Sequence, residues 1–170
     1  MGKNNFEEIL ISLNKADMIS FINNNPECFE KAVKLSFVDK QPCSWRAAWL
    51  LWSCMEENDK RVRKYLKEII NALPLVKDNQ FRELLIVLRK MEIDDKYEGK
   101  LFNICVNAWE NIGKQPSVRH NAFRIIVKII KKYPELINEI TFLTEPHYVD
   151  CLSAGVKNSV NKMISEIRSK

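Results

Sequence analysis

The chain has 170 residues, of which 46% are hydrophobic and 29% are charged, and its formal charge is +5. This apolar content excludes intrinsic disorder, and no apolar run approaches the ~18 residues of a membrane-spanning helix. Only four residues are glycine. Because tight hairpins need glycine at positive φ, the composition disfavours a hairpin-rich β protein.

The five cysteines are odd in number and include no C-x-x-C pair: Cys28, Cys43, Cys54, Cys105 and Cys151. The opening string MGKNNFEEIL has no long apolar stretch that ends in a small-residue cleavage site, so we expect no secretory signal. The expected compartment is the cytoplasm, where the thiols stay reduced and most act as small core side chains.

The N-terminal residues 1–40 predict an atypical helical unit. Its apolar positions, including Phe29 and Phe37, recur 36 residues later in the chain. Asn25 followed by Pro26 has the composition of a helix cap and first helical residue. An atypical unit is expected at the end of a repeat array, because a terminal repeat faces solvent.

Two later segments carry the same apolar stripe at helical spacing, 36 residues apart. The stripe residues are Trp45, Ala48, Trp49, Trp52 and Met55 in the first segment, and Phe81, Leu84, Leu85, Leu88 and Met91 in the second. A further pair lies 38 residues apart, with Val118, Ala122, Ile125, Ile126 and Ile129 followed by Val156, Val160, Met163, Ile164 and Ile167. These patterns predict repeats at 44–76, 80–113 and 117–144, and a C-terminal capping helix at 153–168.

Paired helices of this period, together with the string RHNAFRIIVKIIKKYPEL, resemble the small bacterial α-solenoids of the HEAT and armadillo-like type over about residues 26–168. The W-x-x-L-G-x-x-Y pattern of tetratricopeptide repeats is absent. The resemblance implies a single all-α domain over residues 1–170, built as a right-handed α–α superhelix of about four helical-hairpin repeats.

One cationic position recurs in the predicted first helices. Arg46, Arg82, Arg119 and Lys157 each follow the first apolar residue of their stripe. Long cationic side chains bury their stems on neighbouring apolar surface, so we predict a ladder between repeats rather than a ligand-binding row.

No familiar catalytic string occurs: H-E-x-x-H, G-x-S-x-G, G-x-x-x-x-G-K-[ST] and G-x-G-x-x-G are all absent. His147, Asp150 and Cys151 have the spacing of metal ligands on a helix, but a fourth ligand is missing and we predict no metal site. Cys43 precedes a predicted helix without a histidine partner, which favours an unreactive thiol. We expect neither catalysis nor a cofactor.

The tryptophans could stack on a ligand or pack in the core. Trp45, Trp49 and Trp52 lie in an apolar stripe, and Trp109 aligns with the aliphatic Leu73 of the preceding unit. Alignment with plain aliphatic residues favours core packing.

Five lysines define what we call the basic face: Lys60, Lys64, Lys67, Lys96 and Lys100. The first three follow helical spacing, and the last two occupy the positions of Lys60 and Lys64 one repeat later. In HEAT-like arrays the second helix of each pair lines the concave side, so the resemblance implies a groove for phosphates or an acidic protein. The alternative is an ordinary lysine-rich solvent face.

The sequence therefore predicts a non-catalytic module that binds another macromolecule, with a protein as the favoured partner and with no membrane association and no small-molecule cofactor. Nucleic-acid binding through the basic face is the alternative, by analogy with the fold of HEAT-like DNA alkylation-repair proteins. A lyase of the fumarase/aspartase type is a third, disfavoured possibility, because its G-S-S-x-M-P-x-K-x-N loop is absent.

Overall fold

The computed structural model describes residues 6–168, which form twelve α-helices and two short 3-10 helices and contain no strand. The all-α prediction is confirmed. None of the described helices has both the length and the apolar character needed to cross a bilayer. The chain separates into two compact units, which divide between Ile93 and Asp94.

The first unit contains seven α-helices and one 3-10 helix. The helices are α1 Phe6–Ser12, α2 Lys15–Asn24, α3 Glu27–Ser36, α4 Cys43–Cys54, α5 Lys60–Arg63, α6 Leu66–Ala72 and α7 Asp78–Arg89, with the 3-10 helix Leu73–Leu75 between the last two.

Helix α4 is the centre of this unit, since it packs against α1, α2, α3 and α7. Its buried side chains are mostly small or aliphatic and include Ala47, Ala48, Leu50 and Leu51. Of the predicted stripe, Ala48 and Met55 are buried, whereas Trp45, Trp49 and Trp52 are only half-buried. A helix with neighbours on several sides presents small residues where they approach closely, and the large indoles occupy the margins.

The tryptophans of α4 are half-buried at those margins. Trp49 and Trp52 pack edge to face with ring centroids 5.9 Å apart, and the Lys15 ammonium lies 5.0 Å from the Trp49 ring centroid. The indole N–H of Trp52 donates a hydrogen bond of 2.6 Å to Glu83, a buried carboxylate on α7. The prediction of core packing is fulfilled only in part by these residues.

Helix α7 follows its predicted pattern. All five residues of the stripe, from Phe81 to Met91, are buried. The amide of Gln80, at the start of the same helix, is also buried and donates to the carbonyls of Ser36 and Val38 at 2.8 and 2.9 Å. These bonds fix the chain that leads from α3 into α4.

The second unit contains five α-helices and one 3-10 helix. They are α8 Asp95–Glu110, α9 Pro116–Lys132, α10 Ile137–Leu143, α11 Pro146–Val149 and α12 Ala154–Arg168, with the 3-10 helix Pro134–Leu136 before α10.

Helix α9 is the centre of the second unit and packs against α8 and α12. It begins at Pro116, whose missing N–H costs nothing in the first turn of a helix. The buried residues of α9 lie on one broad side of the helix and include Phe123, Ile126 and Ile130. The opposite side carries Asn121 and Lys128 and is partly open to solvent, so α9 is an amphipathic helix that packs through its apolar side. The Trp109 indole packs against Phe123, with ring centroids 4.5 Å apart, and is fully buried as predicted.

The second helix of the first predicted repeat is interrupted. Helix α5 ends at Arg63 and α6 begins at Leu66, so Lys64 and Tyr65 form a turn between them. The predicted repeat ranges and the grouping of helices into repeats stay predictions.

Candidate functional site

The basic face is divided between the two units. Lys60, Lys64 and Lys67 belong to the first unit, and Lys96 and Lys100 to the second. All five side chains are exposed. Because the turn at Lys64 separates α5 from α6, the three lysines of the first unit do not lie on one continuous helix as the spacing implied.

Several of these lysines already have partners. Lys64 Nζ lies 3.2 Å from Glu30 Oε1, and this bond raises the pKa of the lysine. The Lys96 ammonium lies 4.9 Å from the ring centroid of Tyr97. In the part of the chain that the structure describes, neither Lys60 nor Lys67 forms an ion pair, so these two retain an uncompensated charge.

The predicted ladder begins with Arg46 of α4, whose guanidinium reaches the end of α1. It donates to the carbonyl of Leu10 through Nε and to that of Leu13 through Nη2, the second bond being 3.0 Å long. The last carbonyls of a helix have no partner within it. Arg46 supplies hydrogen bonds there, and its charge complements the negative end of the helix dipole.

Arg119 of α9 has a similar role in the second unit and is only 1% exposed. Its Nε donates to the carbonyl of Trp109 in the last turn of α8 at 2.7 Å, and its Nη2 donates to the carbonyl of Tyr148 in α11 at 2.5 Å. Its Nη1 donates to the sulfur of Cys151 at 2.9 Å. Because its guanidinium is buried and donates hydrogen bonds to backbone carbonyls, Arg119 stabilises the helix packing and is not exposed to bind a ligand.

The other two ladder residues pair with carboxylates. Arg82 lies 2.5 Å from Glu83 Oε1, and Lys157 lies 3.3 Å from Asp150 Oδ1. The four residues thus have different partners, two at helix ends and two in ion pairs.

The structure reveals a Glu–Lys–Tyr cluster that we did not predict from the sequence. In the second unit, Glu98 of α8 accepts bonds from Lys132 at 3.0 Å and from the Tyr133 hydroxyl at 2.6 Å. Lys132 also lies 2.6 Å from Asp95 Oδ1. These bonds raise the pKa values of Lys132 and Tyr133 and lower that of Asp95.

The first unit contains the same cluster 68 residues earlier. There Glu30 of α3 accepts bonds from Lys64 and from the Tyr65 hydroxyl. The two bonds, with a third from Lys34, lower the pKa of Glu30 to about 2. In each unit the cluster connects the first turn of one helix to a Lys-Tyr pair at the C-terminal end of a later helix.

The second unit contains a groove of about 560 Å³, which we call the acidic groove. It runs between the first half of α8 and the chain from the end of α9 into α10. The carboxylates of its lining are Asp95, Glu98, Glu135 and Glu139. The apolar and aromatic side chains are those of Phe102, Ile129, Tyr133 and Leu136, and the lining is completed by Gly99 and Asn103 of α8.

The carboxylates of this groove differ in their environment. Asp95 and Glu98 are held by Lys132 as described above. Glu135 and Glu139 are exposed, and among the described residues neither has an ion pair or a hydrogen bond to its side chain. The groove therefore combines an apolar floor with two carboxylates that remain available to a partner.

The three residues whose spacing suggested metal ligands, His147, Asp150 and Cys151, each contact a different side chain. His147 lies 3.5 Å from Glu145, Asp150 pairs with Lys157, and Cys151 accepts from Arg119. No group of three potential metal ligands occurs among the described residues.

The cysteine thiols are mostly internal. Cys28, Cys43 and Cys105 are buried, Cys54 is partly buried and Cys151 is exposed. Burial raises the pKa of all but the last, so these four thiols stay protonated at neutral pH. Cys43 is the first residue of α4, but its burial opposes the thiolate that a helix N-terminus would favour.

Comparison with known proteins adds one finding. A family model described as HEAT repeat domain matches residues 4–167, a range that includes α1 to α11 and all of α12 except its last residue. Neither the curated proteins nor the solved structures contain a significant match.

Proposed function

Since the chain belongs to the HEAT repeat domain family, we propose that it is a non-catalytic module that binds another protein. HEAT repeats commonly serve as protein-interaction scaffolds. The observation that carries the proposal for this chain is the acidic groove, in which an apolar floor and unpaired carboxylates lie together on the surface of one unit.

The groove has the chemistry of a protein-binding surface. Phe102 and Leu136 are half-buried and still partly open to solvent, and Tyr133 contributes an aromatic ring beside them. Interfaces typically place aromatic and aliphatic side chains at the centre and polar groups at the rim. Glu135 and Glu139 are in the position of such a rim.

Two observations support a function without catalysis. The HEAT repeat family is generally non-catalytic. In this chain, the shifted pKa values belong to side chains that hold helices together, such as Glu30 and Lys132, and to thiols made less acidic by burial. A catalytic group has its pKa shifted toward the working pH, and these shifts move away from it.

Cross-linking of the full chain in its own cells tests the proposal. A photoreactive residue in place of Phe102 is expected to give a discrete protein adduct, and the same residue in place of Val38, an exposed apolar position of the first unit, serves as the control. Adducts with nucleic acid alone, or no adduct at either position, would contradict protein binding.

Nucleic-acid binding is the second candidate, and the observation that favours it is the uncompensated charge of Lys60 and Lys67. Phosphate contacts make such binding fall steeply with salt. If this candidate holds, a DNA duplex binds at low salt, and the double variant Lys60→Glu with Lys67→Glu abolishes the complex. The absence of a mobility shift at low salt removes the candidate.

A further inference from the structure

We infer that the acidic groove receives a basic amphipathic segment of the partner protein, in which lysine or arginine residues flank a bulky apolar side chain. This inference rests on the proposed function and specifies the chemistry of the partner. It depends on three properties of the groove: its charge, its apolar floor and the space that is left open at Gly99.

The charge of the groove is opposite to that of the chain. The lining contains Asp95, Glu98, Glu135 and Glu139 and no cationic side chain, and the Lys132 ammonium pairs with the first two. Four carboxylates against this one cation leave an excess of three negative charges. The whole chain carries +5. A local negative field of this kind attracts cationic segments and repels phosphates, which makes a basic peptide the matching occupant and a nucleic acid the mismatched one.

The apolar part of the groove requires more than a cation. Ile129 is buried, whereas Phe102 and Leu136 keep part of their surface in contact with solvent. Phe142 lies three residues after Glu139 on α10 and is 62% exposed, which extends the apolar surface next to the acidic rim. An apolar side chain of the partner gains free energy by covering this surface, and flanking cations reach the carboxylates.

Gly99 indicates that the groove is kept open. It lies inside α8, where glycine is less favourable than alanine, and its φ is negative, so no backbone requirement explains it. A Cβ atom placed there would meet nothing within 4 Å. Because Gly99 belongs to the groove lining, a large side chain in its place would reduce the open space there.

A metal ion does not account for the carboxylates. Hard cations need several oxygen ligands that converge on one point. The described carboxylates form no such group, and the Lys132 ammonium occupies the space between Asp95 and Glu98. The volume of about 560 Å³ is in the range of sites that hold several side chains or a small ligand.

The test measures fluorescence anisotropy of a labelled peptide with leucines on one helical face and lysines on the other, added to the full chain. Saturable binding is expected. Two control peptides separate the contributions: one has glutamate in place of lysine and one has serine in place of leucine. Neither is expected to bind measurably, and equal binding of the serine peptide would reduce the site to charge alone and overturn the inference.

Two variants address the groove itself. Glu135→Lys combined with Glu139→Lys is expected to weaken binding by about tenfold or more, because the lysines of the peptide then meet like charges at the groove. The matched control is Glu8→Lys combined with Glu68→Lys, which makes the same charge change in first-turn residues of α1 and α6 in the other unit. Equal weakening by the two double variants, or no weakening by the first, would overturn the inference.

A third variant separates occlusion from unfolding. Gly99→Phe fills the groove without altering its charge, and the Cβ position is free of contacts. Loss of peptide binding with an unchanged or higher melting temperature is the expected result. Retained binding means that the peptide lies elsewhere and contradicts the inference.

Cross-linking in cells tests the proposed function independently of the peptide-binding experiment. If cross-linking in cells identifies a protein partner whose capture survives Glu135→Lys with Glu139→Lys, the assigned occupant is wrong and the proposed function stands. If no protein adduct forms, the proposed function fails whatever the peptide result.

Discussion

Arg119 donates a hydrogen bond of 2.5 Å from Nη2 to the backbone carbonyl of Tyr148 and thereby links α9 to α11. The same guanidinium binds the carbonyl of Trp109 at the end of α8 and is almost completely buried. Among the described residues it has no carboxylate partner. Its positive charge is balanced by carbonyl dipoles, including those at the negative end of α8.

Replacing Arg119 by leucine is therefore expected to destabilise the second unit by about 3 kcal/mol, because the buried carbonyl of Trp109 and the partly buried carbonyl of Tyr148 lose their donors. Arg119→Lys recovers only part of this loss, since an ammonium cannot form the same divergent bonds. Urea unfolding of the full chain measures the difference. The control is Arg124→Leu on the same helix, where a half-buried side chain should cost less than about 1 kcal/mol. Similar losses for both variants would refute the role given to Arg119.

The Glu30 carboxyl gives a pH prediction. Hydrogen bonds from Tyr65, Lys64 and Lys34 lower its pKa from 4.5 to about 2. A carboxyl with a depressed pKa stabilises the folded state above its unfolded pKa, so the stabilisation is lost as the pH falls from about 4.5 to about 2. Tyr65→Phe removes the strongest bond and is expected to raise the pKa.

NMR titration of the Glu30 side chain measures this pKa directly. Tyr133→Phe is the control, because it removes the corresponding hydroxyl from the second unit and should leave the titration of Glu30 unchanged. A midpoint near 4.5 in the unmodified protein would show that the cluster of the first unit does not form.

Gly99→Ala is expected to increase stability by up to about 1 kcal/mol, because alanine favours the helix and the new Cβ meets no neighbour. Thermal or urea unfolding measures the gain. Gly113→Ala is the comparison: it lies between α8 and α9, and its Cβ would lie 3.2 Å from Asn111 Oδ1. No gain is expected there. A loss of stability for Gly99→Ala would mean that the groove is filled rather than open.

The interior of α7 was predictable from the sequence, and the buried face of α4 only in part. The α7 stripe from Phe81 to Met91 consists of large apolar residues, and all five are buried. The α4 stripe includes Ala48 and Met55, which are buried, and three tryptophans, which are only half-buried. Several helices approach α4 closely, so they bury its small residues and leave room for indoles only at its margins.

The acidic groove was not predictable, because its members are distant in the sequence and individually ordinary. In the sequence, Asp95 lies next to Lys96, and Glu98 lies between Lys96 and Lys100. The contact of both carboxylates with Lys132 depends on how α8 packs against α9. One signal was present: a Lys-Tyr pair follows a glutamate by 34 residues at Glu98 and again at Glu30. Charge balance alone does not show which carboxylates stay unpaired.

Binding of a basic amphipathic peptide in the acidic groove is the central claim, and amide chemical-shift mapping on the full chain tests it most directly. Titration with the leucine–lysine peptide is expected to shift the amide resonances of Gly99, Phe102, Leu136 and Glu139 most strongly and to saturate. Largest shifts in the first unit, around Lys60 and Lys67, or no saturable shifts at all, would contradict it.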